Sequence, residues 1–164
     1  MDSLLFLYFC NKYKYLHMIK TKLTLIALFT IIFTIIAGSI SAQTGEPWTA
    51  KDLLDPATLA SMINNAKGQK PVIYNIGPLA DIKGAVTIGS ANNKAALDKL
   101  SNALAAVPKD KMVVIYCGCC PFRNCPNIRP AFNLMKEKGY KNLKLLNLPQ
   151  NLKVNWTDYG YPMD

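Results

Sequence analysis

Four of the chain's five cysteines fall within nine residues, in the run Cys117-Gly118-Cys119-Cys120-Pro121-Phe122-Arg123-Asn124-Cys125. A cysteine attacks, exchanges or ligates as the thiolate, so a cluster of this kind asks which sulfur is ionised and by what. One reading makes Cys117 a nucleophile. The amides of the loop that starts at Gly118, together with Arg123, then form an anion cradle, and Arg129 adds to that field or clamps an anionic substrate. A second reading pairs Cys117 with Cys120 as a C-x-x-C couple, one thiol attacking and the other resolving. A third gives the four sulfurs to a metal ion. Structural zinc sites more often use two separated pairs, which this chain lacks, and no metal is assigned. The plainest reading lets Cys119, Cys120 and Cys125 brace the loop as disulfide partners in an oxidising compartment. Adjacent Cys119 and Cys120 are poor partners for each other, whereas Cys125 with either of them leaves Cys117 free.

The elements that must position these sulfurs can be read from the flanking sequence. Met112-Val113-Val114-Ile115-Tyr116 is the strongest strand pattern in the chain, and Cys117 follows it directly. After the loop, Asn127 can cap a helix whose apolar face is Ile128, Ala131, Phe132 and Met135, with Gly139 closing it. Upstream, Asp55-Pro56 opens a helix carrying Leu59, Met62, Ile63 and Ala66 at helical spacing, with Gly68 as its stop. Val72 to Ile76 reads as a buried parallel strand broken by Gly77-Pro78, and Ala85 to Ile88 as a second, weaker one. Leu97, Leu100, Leu104 and Val107 mark another helix ending at Pro108, and Leu143 to Leu148 a last strand. Strands alternating with helices imply an α/β fold, a mainly parallel central sheet with helices on both faces in three layers. Ligands of such sheets bind beyond the carboxyl ends of the strands, where Cys117 falls. Tyr74 and Tyr116 are expected to pack, Trp156 to serve as a core or lid residue, and Asp81 to be a turn residue.

The first 42 residues read as an address. Lys20 and Lys22 precede an apolar stretch from Leu23 to Ile36 and a small-residue exit, Ala37-Gly38-Ser39-Ile40-Ser41-Ala42. That is the pattern of a secretory signal peptide with a start at Met18 and cleavage after Ala42, leaving residues 43–164 as one exported domain, periplasmic or secreted. The apolar stretch is short of the roughly 20 residues a membrane span needs, so contact with a membrane is expected only if the segment stays uncleaved. From Gln43 onward 15 Lys and Arg stand against 9 Asp and Glu, and they are scattered. A nucleic-acid footprint concentrates its charge on one face, so none is expected. There is no glycine-rich nucleotide loop, hence no organic cofactor.

The run from Met112 to Tyr140, VVIYC followed by a loop, a helix and Lys138-Gly139-Tyr140, resembles the active-site segment of rhodanese-like domains. Pro71 to Ile76 resembles that family's early central strand, Ile82-Lys83-Gly84-Ala85-Val86 its "H-I-x-G-A" segment, and Trp156 with Gly160-Tyr161-Pro162 its closing signature. The resemblance implies a rhodanese-like fold and a sulfur-carrying nucleophile at Cys117, its persulfide cradled by loop amides. It implies a small sulfur-containing anion or a protein thiol as partner. The chain departs from the pattern at Asn75-Ile76-Gly77, where the family usually has Asp-x-Arg, and at Asp81, where it usually has His. Its loop after Cys117 is longer and holds three extra cysteines and two prolines. A larger, protein-borne sulfur donor thus stands beside thiosulfate as an expectation. Members without turnover serve as binding modules, so a catalytically silent domain is the remaining alternative.

Overall fold

Asp55 opens the first helix as its place before Pro56 requires: its carboxylate accepts the Thr58 amide at 3.1 Å, and Pro56 takes the first helical position. The structure, a computed structural model, describes residues 45–164. The signal segment, the start at Met18 and the cleavage point lie outside the described residues. Within them the strands are β1 (Leu53–Leu54), β2 (Val72–Asn75), β3 (Ala85–Thr87), β4 (Val113–Tyr116) and β5 (Leu143–Leu146). The helices are α1 (Pro56–Asn64), α2 (Lys94–Leu104), α3 (Ile128–Glu137) and α4 (Leu152–Asn155). A 3-10 turn spans Phe122–Asn124 inside the cysteine loop.

The five strands make one parallel sheet in the order β1-β5-β4-β2-β3. Alternation along β4 splits the core into two layers. Val113, Ile115 and Cys117 pack with Ala96, Leu100 and Leu104 of α2 and with Ile128, Ala131, Phe132 and Met135 of α3. Val114 and Tyr116 pack on the other face with Leu59, Ala60 and Ile63 of α1, with Leu152 of α4 and with Trp156. Residues facing opposite ways from one strand thus meet different helices, and the α/β three-layer architecture follows. Burial of all four β4 residues is what a parallel central strand needs.

Some local expectations shift. Helix α1 ends at Asn64, so Ala66 lies beyond it and is exposed, and Met62 is only half-buried. Val107 likewise falls outside α2. The two-residue strand β1 and the short α4 carry too little periodicity to be read in advance. Tyr116 does more than pack: its hydroxyl accepts the Ile82 amide at 2.9 Å and donates to the Ala80 carbonyl at 3.3 Å. Burial raises the phenol's pKa well above its usual value and keeps it a neutral donor. Trp156 is fully buried, a core residue. No helix among the described residues is long and apolar enough to cross a membrane.

Candidate functional site

Strand order decides where a site can form. From β2 the chain moves outward to β3 at one edge, and from β4 it moves to β5 on the other side. Neighbouring strands whose continuations diverge leave a crevice at their carboxyl ends, and β2 and β4 are that pair. The residues just past their ends are Gly77 and Cys117, and they touch. A Cβ added to Gly77 would lie 2.7 Å from Cys117 Sγ and 2.5 Å from the Cys117 carbonyl oxygen. Position 77 is therefore glycine because the sulfur occupies the space a side chain would need. The Gly77 amide is tied down by Asn75 Oδ1 at 3.0 Å, and Asn75 Nδ2 donates to Asp81 Oδ1 at 2.9 Å. Asp81 also accepts from the Thr87 hydroxyl. Two positions that depart from the rhodanese-like pattern, Asn75 and Asp81, thus form one hydrogen-bonded pair that also holds the Gly77 amide, and Asp81 is more than a turn residue.

Cys117 is 2% exposed and belongs to the core layer under α2 and α3, yet its sulfur faces polar partners. Asn127 Nδ2 donates to Sγ at 3.1 Å, and Cys119 Sγ lies 3.2 Å away. The Cys125 sulfur lies within 4.8 Å of the same atom. These donors, with the Cys125 thiol foremost, outweigh burial and pull the Cys117 pKa down from 9.0 to about 5. The neighbours are pushed the other way. Burial, then the hydrogen bond to Cys117, raises Cys119 to about 12, and donating to Cys117 raises Cys125 well above the ordinary thiol range.

Asn127 is the residue that sequence reasoning placed but misread. It stands at the start of α3, yet its side chain caps nothing. Its Oδ1 accepts the Asn92 amide at 3.0 Å, which orients the group so that Nδ2 faces Cys117. A signal was present in the sequence. A cap side chain bonds the second or third helical amide, and the third residue here is Pro130, which has none.

Gly118 takes φ +77°, and its carbonyl accepts the Leu152 amide at 2.8 Å. A Cβ there would sit 2.8 Å from Leu152 Cβ, so the bend that returns Cys119 toward Cys117 is built around a glycine. The arginines sit differently from expectation. Arg123 Nη1 pairs with Glu46 Oε1 at 2.7 Å. Arg129 Nη1 donates to the Gly45 carbonyl at 3.4 Å, with its guanidinium over the Trp48 ring. Both are engaged by the Gly45–Trp48 stretch, and the sulfur is served by thiol and amide donors instead. Cys120, the partner suggested by the C-x-x-C spacing, meets Cys119 at 3.4 Å, while the sulfur in contact with Cys117 is that of Cys119.

All four cysteines of the loop are free thiols. The sulfurs of Cys117, Cys119 and Cys125 lie within 4.8 Å of one another, near enough to share a soft ion. A separate cleft of about 550 Å³, lined in part by Lys70, Met112 and Asn142, opens where β2, β4 and β5 begin, at the end of the sheet away from Cys117. No family model, curated protein or solved structure matches this chain.

Proposed function

We propose that this chain is a rhodanese-like sulfur carrier, exported from the cell, in which Cys117 takes sulfane sulfur from a donor and hands it to a thiol acceptor. The observation that carries this reading is the buried Cys117 sulfur at the end of the central strand, with Asn127 Nδ2 donating to it at 3.1 Å and the Cys119 sulfur 3.2 Å away. A thiolate so held is nucleophilic at neutral pH. In the first step the Cys117 thiolate attacks the outer sulfur of a donor R–S–S–H. The donor S–S bond breaks, RS⁻ departs with the proton as RSH, and Cys117 holds the persulfide as S–S⁻. A thiol acceptor then attacks the outer sulfur and regenerates the Cys117 thiolate. Cys119, exposed beside the buried Cys117, marks the side from which a donor approaches. The long loop on that side suits a protein-borne or otherwise extended donor better than a bare small anion.

The test is mass spectrometry of the reduced protein after incubation with glutathione persulfide and, separately, thiosulfate. One added sulfur on the Cys117 peptide, absent from Cys117→Ser, is the expected result. No added sulfur and no released sulfide with either donor, in any variant, would leave a binding module as the reading to adopt. The exported location rests on the Met18–Ala42 pattern, and N-terminal sequencing of the protein from its native host checks it: the mature chain is expected to begin at Gln43.

A further inference from the structure

The three sulfurs of the triangle differ in what they can reach. Cys117 and Cys125 are each 2% exposed, whereas Cys119 is exposed and its sulfur lies 3.2 Å from Cys117 Sγ. That contact is with the inner sulfur of any persulfide formed on Cys117, not with the outer one. A thiol attacking the inner sulfur expels the outer one, whereas a thiol attacking the outer sulfur merely carries it away. From this contact, and resting on the persulfide reading above, we infer that Cys119 is a resolving cysteine: it closes a Cys117–Cys119 disulfide and releases the carried sulfur as hydrosulfide.

The step balances without further reagents. Cys117–S–S⁻ and Cys119–SH become Cys117–S–S–Cys119 and HS⁻. The bond between Cys117 Sγ and the outer sulfur breaks as the bond to Cys119 Sγ forms. The Cys119 proton leaves with the departing sulfur. Two thiol sulfurs are oxidised, and the sulfane sulfur gains both electrons as sulfide. Each turnover consumes a reductant, an external dithiol that attacks the disulfide at the exposed Cys119 sulfur and restores both thiols. The protein is then a reductase of sulfane sulfur, not only a carrier.

The local backbone fits this assignment. Gly118, at φ +77° and packed against Leu152, folds the chain so that sulfurs two residues apart come into contact. Cys125, also in the triangle, is the poorer candidate: at 2% exposure it is buried beyond the reach of an external dithiol.

The experiment uses the full chain, reduced and freed of reductant, with one equivalent of glutathione persulfide as probe. Released sulfide, free thiols and intact mass are measured after acid quenching, with Cys117→Ser as the blank for donor breakdown. Wild type is expected to release close to one sulfide per chain, to lose two free thiols, and to yield a peptide linking Cys117 to Cys119. Cys119→Ser is expected to retain one extra sulfur on Cys117, with sulfide release at least tenfold lower. Cys120→Ser is expected to behave as wild type. The inference is overturned if wild type keeps the extra sulfur and releases no sulfide, or if the disulfide links Cys117 to Cys125 and Cys119→Ser still releases sulfide. In both outcomes the persulfide reading survives. If Cys119→Ser neither gains sulfur nor releases sulfide, that reading falls as well.

Discussion

The sulfur of Cys117 is governed by a contest between burial, which favours the thiol, and donated hydrogen bonds, which favour the thiolate. The hydrogen bonds win, and Asn127 Nδ2 at 3.1 Å with Cys119 Sγ at 3.2 Å are the partners in contact with the sulfur. A hydrogen bond to a charged group contributes about 1.5–3 kcal/mol, and 1.4 kcal/mol is about one pK unit. Asn127→Ala is therefore expected to raise the Cys117 pKa by about one to two units. The rate of Cys117 alkylation against pH measures this, and an unmoved profile would remove Asn127 from the site. In the wild type that profile should stay flat down to about pH 5 and fall below it. The same ionisation bears on stability. Because the folded-state pKa lies below the ordinary 9.0, the stabilising contribution is complete above that value and is lost as the pH falls through about 5. Chemical denaturation of wild type and Cys117→Ser at pH 8 and pH 5 should show the wild type alone losing this increment. Cys117 could be picked out from sequence because strand, loop and helix follow one another there. The partner of Asn127 could not, since Asn92 lies 35 residues away and only the tertiary fold brings its amide to Oδ1.

At the scale of elements, the junction of β2 and β4 sets the position of the sulfur. Register pairs Asn75 with Tyr116, so the next residues out, Ile76 and Cys117, leave the sheet side by side, and Gly77 closes against the sulfur. Gly77→Ala brings a methyl group into the Cys117 carbonyl and sulfur, neither of which is the free end of a flexible side chain. Overpacking of this kind costs typically about 1–3 kcal/mol. A lowered urea midpoint together with a changed Cys117 alkylation rate is expected. An unchanged rate would mean that the two strand ends move independently of the sulfur. The elements that could be read in advance are those with period: β4 through four successive buried apolar residues, α3 through Ile128, Ala131, Phe132 and Met135. Strand β1 was not legible because two residues carry no alternation, and it exists by pairing Leu53 and Leu54 with Leu145 and Leu146. The split of the sheet into two helical layers followed from alternation, whereas the crevice between β2 and β4 needed the strand order itself.

Over the molecule as a whole, the site depends on keeping some thiols inside the core while leaving one at the surface. Cys125 packs in the same layer as Trp48, Phe122, Ile128 and Phe132, with the Trp48 and Phe132 rings edge to face 5.8 Å apart. No loop motion confined to Cys119 and Cys120 uncovers it, because its neighbours come from the segment before β1, the 3-10 turn and α3 together. In reduced native protein a bulky thiol reagent should thus reach the exposed Cys119 and the half-buried Cys120 without unfolding. Cys125 should react only through global opening. For a domain of ordinary stability, at about 5 kcal/mol or more, that protection slows its labelling by roughly a thousandfold or more relative to the same thiol in the unfolded chain. The labelling rate of Cys125 should rise with urea along the slope of global unfolding, which peptide mapping at several urea concentrations measures. Equal native labelling of Cys125 and Cys119 would show that the loop opens as a unit of its own. The three sulfurs would then be held together only part of the time, and the ionised Cys117 would lose the donor that contributes most to its charge.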